Sequence, residues 1–109
     1  MGMYLGRFSY TADAVRKLIE SPEDRTEVAR AAVESVGGTL HGFWYAFGEF
    51  DGYWLFELPD NTSAAALAMT VAAGGALSKA ETIPLVSVEE GIEAFRKAGS
   101  VAYRTPGGQ

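Results

Sequence analysis

Apolar residues recur along this chain with two different periods, and the switches between them mark out its elements. Residues 3–10 (MYLGRFSY) alternate, with Tyr4, Phe8 and Tyr10 on one parity, which predicts a first strand. Thr11 is placed to cap a helix over TADAVRKLIE. Ser21-Pro22-Glu23-Asp24 then carries a second start signal: a capping hydroxyl, proline at the first helical position and acids in the first turn. The helical region is therefore expected to break at Ser21 and restart. In the restarted helix Val28, Ala29, Ala32, Val33 and Val36 form one apolar stripe, and Gly37-Gly38 ends it.

Residues 39–48 (TLHGFWYAFG) and 52–58 (GYWLFEL) predict two further strands, joined as a hairpin through Glu49, Phe50 and Asp51. Pro59 stops the second of them, and Asp60 or Asn61 caps the alanine-rich helix NTSAAALAMTVAA, which Gly74-Gly75 ends. Asn61-Thr62-Ser63 matches a glycosylation sequon but reads as that helix start. Residues 76–86 predict a fourth strand ending near Pro84. Ser87 with Glu90 forms a capping box for a last helix, Val88 to Ala98. The order β-α-β-β-α-β with a terminal helix predicts an α+β ferredoxin-like fold. Residues 1–98 are expected to form a single domain and residues 99–109 a flexible tail, with Val101 to Tyr103 able to join a sheet edge.

The hairpin is apolar on both parities. With unbroken alternation His41, Phe43, Tyr45 and Phe47 share one face of the second strand, and Leu40, Gly42, Trp44 and Ala46 the other. A single antiparallel sheet with helices on one side should present a polar face to water. An apolar outer face points to a cover, and the economical cover is a second copy about a twofold axis. The competing arrangement lays the last helix or tail across the open face.

Composition narrows the function classes. The 109 residues include no cysteine, so thiolate nucleophiles, disulfides and cysteine-ligated metals are excluded. The net charge of −5, with nine basic residues spread along the chain, lacks the patch that nucleic acid or an anionic membrane requires. The opening MGMYLGRFSY is too polar for a signal peptide or a membrane span, and the expected location is cytoplasmic.

Gly37-Gly38-Thr39-Leu40, the run Phe43 to Asp51, Leu58-Pro59-Asp60, and Thr82-Ile83-Pro84-Leu85 followed by Glu89-Glu90 resemble the GYD-domain family across roughly residues 3–95. The family's Gly-x-Tyr-Asp stands here as Gly48-Glu49-Phe50-Asp51, without the tyrosine hydroxyl. The resemblance implies a dimeric α+β barrel, two sheets face to face, and brings no settled activity. Proteins of that architecture include cofactor-free monooxygenases, haem-degrading enzymes, isomerases and cyclases, and amino-acid-sensing domains share a similar hairpin. Such kinship does not assign a function.

The candidate site residues follow from the hairpin. His41 is the only histidine, and with Tyr45 and Arg7 it supplies the weak catalytic candidates. Its bland reading is a hydrogen-bonded, partly solvated side chain. Arg7, mid-strand, either binds an anion or pairs with Glu57 or Glu81; Asp51 is expected to satisfy backbone amides at the turn. Register decides the rest. A two-residue loop sets Tyr45 opposite Trp54; a three-residue loop sets it opposite Leu55 and gathers His41, Tyr45, Tyr53 and Glu57 on one face as a ligand site. The second is preferred. The expectation is a homodimer that binds a small apolar or aromatic molecule, without metal or cofactor. A cofactor-free enzyme and a pocketless interaction module are the alternatives.

Overall fold

In the computed structural model, which describes residues 2–108, the chain forms β1 (Gly2–Tyr10), α1 (Ala12–Glu20), α2 (Thr26–Ser35), β2 (Thr39–Tyr45), β3 (Gly52–Leu58), α3 (Asn61–Ala73), β4 (Leu77–Leu85) and α4 (Val88–Ala98). Met1 and Gln109, the outer ends of the expected domain and tail, lie outside the described residues. The strands pair antiparallel in the order β2-β3-β1-β4. This open sheet with α2 and α3 on one side fits the ferredoxin-like kind. Among the described residues no helix is long and apolar enough to cross a membrane.

Local chemistry sets most element ends. The Thr11, Asp60 and Ser87 side chains accept from the amides of Ala14, Ser63 and Glu90, and Ser87 and Glu90 complete a capping box. Gly37 takes φ 86°, the left-handed region where a side chain is strained, and so closes α2. The restart after α1 departs from expectation. Asp24, not Ser21, accepts from the Thr26 amide at 2.9 Å, so α2 begins at Thr26 and residues 22–25 form a connector. β4 ends at Leu85, one residue past Pro84 as expected, and the proline is tolerated because β4 is an edge strand that pairs only with β1 among the described residues.

The core sits between the sheet and helices α2 and α3. Tyr4, Leu40, Phe56 and Leu58 from the strands meet Val33 of α2 and Leu67 of α3, all buried. Tyr4 also donates from its hydroxyl to Asn61 Oδ1 at 2.6 Å, tying β1 to the start of α3. Two rings lie flat against strand backbone, Trp54 over Gly6 and Phe8 over Gly52, where any Cβ would collide with the ring. The C-terminal end of the chain behaves differently from this core. Every residue of α4 except Gly91 is exposed, and residues 101–108 form no strand. The radius of gyration is 17.6 Å, with a longest dimension of 58 Å, against about 13 Å for a compact domain of this length.

Gly6→Ala should therefore destabilise the fold by about 1–3 kcal/mol, the usual cost of overpacking, read as a lower midpoint in urea. The Asp60 carboxylate is held below its ordinary value chiefly by the Ser63 amide, Glu90 likewise by the Ser87 amide, and Asp24 by the Thr26 hydroxyl and then the Thr26 amide. A depressed carboxylate stabilises above its unfolded value, and that stability is lost as pH falls through the depressed one. Asp60→Asn keeps a capping oxygen without the charge, so its melting temperature should fall less than wild type between about pH 5 and about pH 2.

Candidate functional site

The alanine bias of α3 has a direct spatial consequence. Ala68, Val71 and Ala72 on α3 and Val28 and Ala32 on α2 are too short to close the space above the sheet. What remains is a partly open cavity of about 590 Å³. Its floor is aromatic: Phe8 of β1, Phe43 of β2 and Trp54 of β3, with the Phe8 and Phe43 rings 5.7 Å apart. Tyr10, Arg25 and Ser78 line it near the α3–β4 turn, and Arg7, Lys79, Glu81 and Thr82 border it further along β1 and β4.

Tyr10 is the most perturbed of these groups. Its phenol is pushed above its ordinary value of 10.0, first by burial and then by a hydrogen bond with Tyr45, while the nearby Arg25 charge pulls the other way. The two rings are 6.4 Å apart. Behind them Asp51 Oδ2 accepts from the Tyr10 amide at 2.9 Å, and the Asp51 amide donates to the Phe8 carbonyl. Asp51 thus fastens the hairpin to β1, the structural role expected of it.

The opposite, outer face of the sheet is organised around ion pairs. The Arg7 guanidinium donates from Nη2 to both Glu81 oxygens at 3.1 Å, which raises its pKa. Phe50 is buried beneath it, with the guanidinium 4.3 Å and the Lys79 ammonium 4.4 Å from the ring centre. His41 Nε2 lies 3.1 Å from Glu57 Oε1. Leu5, Leu55 and Ile83, half-buried, fill the positions between these pairs.

The register expected for the hairpin is overturned. Tyr45 lies opposite Gly52 and Phe43 opposite Trp54, so neither Trp54 nor Leu55 faces Tyr45. The loop is longer than expected: β2 ends at Tyr45, and the Ala46 amide donates to the Asp51 carbonyl across the residues between. A bulge between Leu40 and Gly42 adds one residue to β2, and His41 is that residue. Beyond it the parity inverts. Leu40, Phe43 and Tyr45 all face the helices, while His41 stays with Tyr53 and Glu57 outside. The expected face shared by His41, Tyr45, Tyr53 and Glu57 therefore does not exist, and Tyr45 is divided from the other three by the sheet. Arg7 belongs to the outer face as well, paired with Glu81 rather than Glu57. The outer face is accordingly less aromatic than unbroken alternation implied.

Tyr10 and Arg25 were not singled out by the sequence as site residues. Tyr10 shares a parity with Phe8, which could have marked it; Arg25, in the break between two helices, carried no signal. Among the described residues no group of three or more His, Asp or Glu side chains is placed to hold a metal ion.

An open four-stranded antiparallel sheet, one face under two helices and the other bare, defines the class as α+β. The family follows from comparison: the GYD domain model matches residues 4–95, and the chain belongs to that family. No curated protein and no solved structure matches it.

A raised phenol contributes stability that is full below its unfolded value and is lost as pH climbs through the raised one. In a spectrophotometric titration one of the five tyrosines should ionise well above the ordinary value of 10.0, and Tyr10→Phe should remove that late step. A late step that survives Tyr10→Phe would assign the perturbation to another ring.

Proposed function

We propose that this GYD-domain protein is a homodimeric binding domain for a small apolar or aromatic molecule, held between its sheet and helices. The cavity of about 590 Å³ carries the reading. It falls within the range usual for small-molecule sites and has largely aromatic and aliphatic walls, with Tyr10, Arg25, Ser78 and Thr82 among the polar residues that border it. Binding is favoured over catalysis because the acid–base candidates are scattered. His41 and Glu57 lie across the sheet from the cavity, and Arg7 is engaged by Glu81.

Two uncovered apolar surfaces support the second copy. One is the outer face, where Trp44 is 54% exposed beside half-buried Leu5, Leu55 and Ile83. The other is α4, whose Val88, Ile92 and Phe95 fall on one stripe with exposures of 77%, 43% and 80%. A monomer would leave both in water.

Titration calorimetry with naphthalene should show saturable binding at one site per chain, and Ala68→Phe, which fills the cavity, should weaken it at least about tenfold while the fold is retained. Absence of saturable binding, or binding indifferent to Ala68→Phe, would remove the proposed site. In sedimentation the wild type should run at twice its 11.6 kDa chain mass, and Ile92→Asp with Phe95→Asp should yield monomers. A wild-type monomer at micromolar concentration would refute the dimer.

A further inference from the structure

The space above the sheet does not end at Tyr10 and Arg25. A second recess of about 330 Å³ adjoins it, between α1 and the connector that precedes α2. Tyr10, Arg25 and Ala76 border both spaces, so a single boundary of one phenol, one guanidinium and one methyl separates an oily chamber from a polar one. The recess is lined further by Lys17, Ser21 and Glu23. Two cations and one carboxylate give it a net positive lining, unusual in a chain whose overall charge is −5.

We propose that the ligand is an amphipathic monocarboxylate, its apolar body in the cavity and its carboxylate at the Tyr10–Arg25 boundary. This rests on the cavity being a binding site, as argued above, and adds what occupies its Tyr10–Arg25 end. The chemistry is specific to an anion. A phenol held neutral is a hydrogen-bond donor to a carboxylate, and guanidinium is the side chain whose forked donors match one. Arg25 is within 3.0 Å of Glu23 through Nη1, and Lys17 within 3.1 Å of Asp13. Both pairs are solvent-exposed at the acid, 55% for Glu23 and 65% for Asp13. Exposed pairs of this kind are weak, so a ligand carboxylate anchored by a buried tail can displace Glu23 from Arg25. The other carboxylate facing Tyr10 is Asp51, and it is engaged by the Tyr10 amide. A cationic head would meet Arg25 and Lys17 instead, and a neutral head would gain only the phenol.

Competition against naphthalene with decanoate, decanol and decyltrimethylammonium, each below its micelle concentration, tests this on wild type and Arg25→Gln. Decanoate should bind wild type at least about tenfold tighter than decanol, and decyltrimethylammonium weakest. Arg25→Gln should erase the decanoate advantage and leave decanol unchanged. Equal binding of decanoate and decanol, or an advantage that survives Arg25→Gln, overturns the carboxylate assignment while the cavity stands as a binding site. If none of the three displaces naphthalene, or naphthalene itself does not bind, the cavity reading falls and this inference with it.

Discussion

One extra residue in β2 decides what each face of the sheet presents. Side chains in a strand alternate strictly, so a slip of one position exchanges the faces of everything beyond it. The bulge at His41 is such a slip, made once and held in place. Before it, Leu40 faces the helices; after it, so do Phe43 and Tyr45, which regular pairing would have turned outward, Phe43 opposite Tyr53. The aromatic floor of the cavity, the Tyr10–Tyr45 contact and the exclusion of the histidine from that side all follow. Gly42, immediately after the bulged residue, lies beneath the Trp44 ring, in a space that a Cβ would fill.

The elements themselves were legible from the sequence because their ends are local chemistry. Thr11, Asp60 and the Ser87–Glu90 box need only a few neighbouring residues to act, and β3 and α4 have the bounds that the pattern gives. The site was legible only in part. Along 40–47 both parities are almost wholly apolar, so alternation carries no information about which residues turn inward. A bulge is set by the pairing of two strands and leaves no mark in either strand alone. The longer hairpin loop was hidden for the same reason: Phe47 looks like a strand residue, yet it stands fully in solvent, while Phe50, read as loop, is buried under Arg7 and Lys79. Arg25 was invisible because its place depends on where Asp24 restarts the helix.

The two faces divide the work of the molecule. The helix side is held by rings and aliphatic chains with few charges, which suits the enclosure of something apolar. On the outer side, apolar residues are interleaved with the Arg7–Glu81 and His41–Glu57 pairs. Such pairs are worth little to stability in water but constrain which surfaces can meet, because a mismatched partner leaves a charge uncompensated. The phenylalanine in the family's tyrosine position fits this division. Without a hydroxyl to satisfy, the Phe50 ring can lie entirely beneath two cations.

The two tryptophans have a spectroscopic meaning that their positions make plain. Trp44 stands on the outer face, 54% exposed, and Trp54 lies on the other side of the same sheet, flat on Gly6 and bordering the cavity. Their indoles sample different surroundings, one wet and one oily. Intrinsic emission from this chain is thus the sum of two separable signals. Water-soluble quenchers reach the first, and whatever enters between sheet and helices reaches the second, so the native protein carries one built-in gauge for each face.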